Sequence, residues 1–192
     1  LDVPYIRENG KLKKSSWKET FKLLKNKLKS FNPNEMAGIL GNLADLEMAY
    51  SFKLFFNEVL GSKNLECRQE KIYINPSERM NYIFNSTING IEESDFILLV
   101  GTNPRLEATI LNARIRKAHI KNRTKIYSIG DPGDLTYPYE IIGTDTSIIE
   151  EIVVGNHKIS DRIKKCKKPI IIIGESALNE KIGQYVFENL KN

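Results

Sequence analysis

Two cysteines, two histidines and one tryptophan in 192 residues leave little material for several familiar chemistries. Cys67 and Cys166 are far apart in sequence and too few for a four-thiolate iron–sulfur cluster or a cysteine-rich zinc site. One disulfide is arithmetically open; a disulfide-stapled scaffold is not. His119 and His157 offer little for imidazole ligation or acid–base work. No apolar run approaches the ~20 residues that cross a bilayer. The longest, Phe96 to Val100 and Ile170 to Ile173, are strand-length, so a membrane span is excluded. Neither sign of charge dominates: 29 Lys and Arg face 24 Asp and Glu, a formal net of +5. So mild and mixed an excess does not mark a nucleic-acid-binding protein. Leu1 is not an initiator methionine, and the residues after it lack the apolar run of a signal peptide and the acid-poor look of a transit peptide. The chain is expected to be processed, incompletely built, or one piece of a longer protein.

The 41% hydrophobic content suffices for a buried core. Val3 to Arg7 and Lys11 to Lys13 flank Asn9-Gly10, a dipeptide suited to a tight hairpin because both residues tolerate positive φ. Ser16 to Glu19 reads as a capping box, each side chain able to bond the other's backbone amide. It opens a helix with Trp17, Phe21, Leu24 and Leu28 on one stripe above a lysine-rich face, and Asn32-Pro33-Asn34 ends that segment. From Met36 onward, short apolar runs end in glycine: Ala37 to Leu40 at Gly41, Phe96 to Val100 at Gly101, Lys125 to Ile129 at Gly130, and Ile170 to Ile173 at Gly174. Helical patterns follow most of them, near Leu43 to Leu60 (with Met48, Phe52, Phe55 and Val59 on one side), Pro104 to His119, and Ala177 to Leu190. Thr146 to Val154 fits a short helix or a strand. Continuous β-branched runs alternating with helices predict strands buried on both faces. The fold expected is α/β: a doubly wound, mostly parallel sheet flanked by helices, with a small N-terminal hairpin-plus-helix. Residues 1–34 are expected to pack on the core, and 35–192 to form the α/β domain.

Glycines at strand ends are where doubly wound folds seat phosphates, because the next helix offers free amides. Gly101, Thr102 and Asn103, with Pro104 fitting the first helical turn, form the candidate turn. Neither dinucleotide nor P-loop spacing accompanies it, so glycine as a mere sharp turn is the plainer reading. Arg114, Arg116, Lys117, Lys121, Arg123 and Lys125 cluster at a helix end, where cations complement the helix dipole. With Tyr127 as the one aromatic nearby, the cluster lacks the stacking platforms of a nucleic-acid surface. His119 reads as a C-terminal cation and His157 as a surface residue. Glu92-Glu93 and Glu150-Glu151 are sequence neighbours that do not converge on one point. Thr136-Tyr137-Pro138-Tyr139 is either an interface anchor or a local packing element. No metal-ligand spacing and no nucleophile–base pair stands out.

The stretch DFILLVGTNPRLEATILNARIRK, Asp95 to Lys117, closely resembles the large iron–sulfur subunit of respiratory complex I, NADH:ubiquinone oxidoreductase. VPYIRENGKLKKSSWKET, GNLADLEMAYSFKLFFNEVLG, NYIFNSTINGIEESD, DLTYPYEIIG and KKPIIIIGESAL extend the likeness in order along nearly the whole chain. In that family an N-terminal half carries iron–sulfur clusters on cysteines, and the C-terminal half resembles molybdopterin oxidoreductases. The resemblance implies that this chain is the opening part of that C-terminal half, separate from the cluster-bearing portion. Active molybdopterin relatives place a Cys, Ser or Asp ligand ahead of the Asn-Pro strand. Here that segment is Ser77 to Tyr82, with Met80 and Asn81 near the expected thiol; Ser77 stays open, and Cys67 is too far upstream. Thiolate-favouring metals argue against an occupied site. The resemblance therefore implies a structural, cofactor-free segment with no catalytic residue, no metal and no chemical step of its own. Gly101, Thr102 and Asn103 would then be a vestigial phosphate-type turn. The clusters are expected in the missing half or a partner chain, and the partners are other complex I subunits, with no nucleic acid. The place implied is the peripheral arm, on the matrix side of the mitochondrial inner membrane or its bacterial equivalent. A molybdopterin-binding oxidoreductase fragment and a nucleotide- or nucleic-acid-binding α/β module are the alternatives.

Overall fold

A computed structural model describes residues 2–41, 43–67, 72–179 and 181–191. The chain divides into two compact units, Leu1–Gln69 and Glu70–Asn192, so positions 34 and 35 both lie inside the first.

In the first unit, strands β1 (Tyr5–Glu8) and β2 (Lys11–Lys14) pair antiparallel in the register Glu8 to Lys11. Asn9 and Gly10 both turn at positive φ, 50° and 78°, as the two-residue hairpin requires. The capping box forms as the sequence predicts. Glu19 N–H donates to Ser16 Oγ and Ser16 N–H to Glu19 Oε2, both at 3.2 Å, opening helix α1 (Trp17–Leu28). Further along, the structure departs from the expectation. The run Ala37 to Leu40 contributes only β3 (Gly38–Ile39), which pairs in parallel with β4 (Leu65–Glu66) as a two-stranded sheet of its own. Helix α2 (Leu46–Leu54) continues as a π-helical turn, Phe55–Leu60, ending at Gly61 in the left-handed region. The extra residue per turn re-aims the aromatic stripe. Phe52 and Phe56, ring centroids 4.7 Å apart, close over Gly38, while Met48, Phe55 and Val59 stay exposed.

The second unit is built on four parallel strands in the order β7-β6-β5-β8: β5 (Phe96–Val100), β6 (Lys125–Ile129), β7 (Glu140–Gly143) and β8 (Pro169–Ile173). All five residues of β5 are buried. Phe96, Leu98 and Val100 pack with Tyr127, Ile149 and Val186 on one face; Ile97 and Leu99 meet Ile115, Leu135 and Tyr137 on the other. Helices therefore cover both sides: α4 (Thr109–Asn122) on the second, α5 (Ser147–Val154) and α7 (Gly183–Lys191) on the first. This is the expected doubly wound parallel α/β core. Thr146 to Val154 resolves as helix. The expected helix Pro104 to His119 is two pieces: α3 (Pro104–Glu107) stops at Ala108, whose φ of −150° and ψ of 69° are not helical, and α4 begins at once. The helix expected over Ala177 to Leu190 opens with a 3₁₀ turn, Glu175–Leu178, and becomes α-helical only at Gly183. A short helix, α6 (Ser160–Lys165), precedes β8. Among the described residues no helix is long and apolar enough to cross a membrane.

Asp95 fixes the register where β5 and β8 begin side by side. Its carboxylate accepts the N–H groups of Lys167 (2.7 Å) and Lys168 (3.0 Å), and these bonds, Lys167 first, hold its pKa below the ordinary value. A carboxyl depressed in the folded state stabilises above its unfolded pKa of about 4 and loses that contribution as pH falls through the lowered value. Asp95→Asn should therefore unfold at lower denaturant than the parent at neutral pH, with the gap narrowing below about pH 4. A gap independent of pH would contradict this role.

Candidate functional site

Strands β5, β6 and β7 are laid down in one direction, and the chain then returns to place β8 on the other side of β5. The reversal puts a topological switch point between the C-terminal ends of β5 and β8, where doubly wound folds hold ligands. Gly101 and Gly174 stand at those two ends.

The crevice is closed there by the chain itself. Gly101 has φ +55°, and a β-carbon on it would fall 2.8 Å from Ala177 Cβ and Ser176 Oγ. A β-carbon on Gly174 would fall 2.6 Å from Thr102 Cβ and meet the Gly101 carbonyl oxygen more closely still. Ser176 Oγ donates to that same carbonyl. Gly174 is thus demanded by the close approach of the Gly101 backbone, and Gly101 by its left-handed φ and the nearness of residues 176 and 177.

Thr102 and Asn103 do present donors, but Glu107 occupies them. Asn103 N–H donates to Glu107 Oε1 at 2.7 Å, and Thr102 Oγ1 to Glu107 Oε2 at 2.8 Å. Asn103 Oδ1 caps α3 through Leu106 N–H (3.2 Å), and its amide nitrogen donates to Pro132 O (2.6 Å). The helix behind the turn is four residues long, too short to gather the dipole that an α-helix aims at an anion. The remaining cleft, about 340 Å³, carries Glu107 and Asp131 and has no Lys or Arg in its lining. An anion entering it meets two carboxylates and no fixed cation. A larger apolar groove of about 1100 Å³ lies along β8, lined by Ile72, Phe84, Leu111, Ile172 and Ile173 together with Glu107, Glu175 and Lys181.

Elsewhere the candidate residues are held apart. Glu92 pairs with Arg114 and Lys117, and these bonds, Lys117 first, lower its pKa. Glu93 instead pairs with Lys168, so the adjacent acids face different cations. Arg114 and Lys117 are therefore taken out of the basic cluster, leaving Arg116, Lys121, Arg123 and Lys125 exposed. His119 Nδ1 lies 3.1 Å from Thr124 O, and His157 Nδ1 accepts Ile159 N–H at 3.3 Å. Glu150 takes the Tyr185 hydroxyl. The aromatic loop is local packing: buried Tyr137 donates to Asn112 Oδ1 (2.7 Å), desolvation raising its pKa, and Tyr139 donates to Gly133 O (2.8 Å). Ser77 Oγ accepts from Asn81 Nδ2 at 3.4 Å, and Met80 is exposed. Both cysteines are free; Cys166 is three residues before β8, at the opposite end of the sheet from the crevice. No group of three His, Cys, Asp or Glu suited to a metal exists among the described residues. Sequence reasoning missed Glu107. Its one signal was a carboxylate four residues after the Asn103 cap, one beyond the capping-box spacing.

The molybdopterin oxidoreductase family model matches residues 1–192. The chain belongs to the molybdopterin oxidoreductase family. It is 39% identical over 186 residues to a subunit of the NADH-quinone oxidoreductase of Rickettsia prowazekii, covering 97% of this chain and 27% of that protein. It is 39% identical over 204 residues to the NADH-ubiquinone oxidoreductase 75 kDa subunit of Reclinomonas americana, covering 100% of this chain and 30% of that protein. The family and the subunit likeness seen in the sequence are both borne out, for a chain that spans 27–30% of these relatives' length.

Because the Gly174 contact is with backbone, Gly174→Ala cannot be relieved by a side-chain rotation. It should lower stability by about 1–3 kcal/mol, as overpacking does, measured as the denaturation midpoint. A midpoint equal to the parent's would refute the close approach.

Proposed function

We propose that this chain is a structural, cofactor-free segment of the large iron–sulfur subunit in the peripheral arm of NADH:ubiquinone oxidoreductase, complex I. It supports electron transfer from NADH to quinone without performing a chemical step. The names of its relatives support the assembly. The observation that carries the structural role is the Glu107 carboxylate seated on Asn103 N–H and Thr102 Oγ1, in a strand-end turn pressed against residues 174–177.

The residues present do not fit a molybdenum–pterin group. Its metal asks for a soft ligand, and Ser77 to Tyr82 offers a hydroxyl engaged with Asn81 and an exposed thioether. Its phosphates ask for amides and cations, and the cleft offers Glu107 and Asp131. Gly101, Thr102 and Asn103 act as a backbone junction in this reading. The iron–sulfur clusters belong to the cysteine-bearing part of the subunit or to a partner chain. The partners are other complex I subunits, and the place is the matrix-side arm or its bacterial counterpart.

Purification of the native assembly, with mass spectrometry for this chain and elemental analysis of the same fractions, tests the reading. The chain should follow NADH:quinone reductase activity, with no molybdenum or tungsten in proportion to it. Finding it outside those fractions would overturn the assembly. Stoichiometric molybdenum with acid-released pterin fluorescence would instead make it a fragment of a molybdopterin enzyme.

A further inference from the structure

Charge is distributed unevenly along this chain. Residues 1–34 hold nine Lys and Arg against three Asp and Glu, a net of +6, more than the whole chain's +5. Helix α1 concentrates it. Trp17, Phe21, Leu24 and Leu28 recur at the spacing of one helical face, and each is followed directly by a lysine: Lys18, Lys22, Lys25 and Lys29. At 3.6 residues per turn the lysines form a second row parallel to the first, about 100° round the helix. The opposite flank carries Thr20, Leu23 and Lys27, and the back Glu19 and Asn26.

The helix has no buried residue. Trp17 is 58% exposed, Phe21 59% and Leu24 45%, with the first two rings stacked at 5.6 Å. All four lysines are exposed and have no ion-pair partner among the described residues. Tyr5 and Leu12 of the neighbouring hairpin are exposed as well. The capping box sets where the helix begins and so fixes the stripe in place.

We infer that α1 docks on a protein partner through an apolar groove bordered along one side by a row of carboxylates. The apolar stripe supplies the buried area and the parallel lysine row supplies register. An anionic membrane is the poorer occupant, because an interfacial helix spreads its basic residues over a broad polar face. Here Lys18, Lys22, Lys25 and Lys29 line one edge, with Lys27 alone on the other flank. The inference rests on the reading that the chain is built into a larger assembly and names the surface by which it is held.

Amine acylation of the intact native assembly, compared with the dissociated chain, reads the surface directly. Lys18, Lys22, Lys25 and Lys29 should label about tenfold less in the assembly, while Lys27 labels alike in both. Zero-length carbodiimide coupling should join the row to Asp or Glu of another polypeptide. Equal labelling of all five, or couplings confined to the chain itself, would overturn the proposal. Protection abolished by delipidation or by nuclease would assign the face to lipid or nucleic acid and overturn it too. A chain that follows complex I with its lysines freely reactive fails this inference alone; a chain absent from complex I fails the reading beneath it.

Discussion

Phe96–Val100 turns no side to water, and the second unit is organised by that constraint. Its backbone pairs with β6 on one edge and β8 on the other, and its side chains point alternately into two separate clusters. A strand so enclosed needs helices on both faces and a chain reversal to bring β8 alongside. Both β5 and β8 then end where the backbone must turn within a few ångströms of its neighbour. Gly101 and Gly174 are consequences of this. The crevice between the two strand ends is narrowed by the same packing that holds the sheet together.

The strands were readable where apolar, β-branched residues run on to a glycine. β5, β6 and β8 declare themselves as apolar runs ending in glycine, and the hairpin and capping box as short local chemistry. β3 shares that run-then-glycine look yet belongs to another sheet, because its partner, Leu65–Glu66, is two residues with no pattern at all. Glu140–Gly143 was hidden behind the Tyr-Pro-Tyr loop, being a half-exposed strand at the sheet's margin. The break at Ala108 was illegible, since apolar periodicity runs through it unaltered.

The turn at Gly101 was legible as a candidate, but the engagement of its donors by Glu107 was not. Sequence shows which residues offer donors; it does not show what already fills them. Glu107 is supplied by the short helix that the turn begins, so a glycine-ended strand followed by Asn-Pro keeps the outline of an anion site while its donors are satisfied from within. The aromatic loop gives the converse lesson. Tyr137 and Tyr139 suggested an external anchor with the same force as packing, and only the buried bond to Asn112 separates them. In the proposed reading, the chain keeps the family's architecture while its ligand end serves as a joint.

Density at the C-terminal ends of β5 and β8 in a high-resolution map of the native assembly would test that claim most directly. The account predicts the Glu107 carboxylate on the Asn103 amide and protein atoms alone between Gly101 and Ser176. A pterin with its heavy atom in that crevice, the carboxylate swung away, would contradict it.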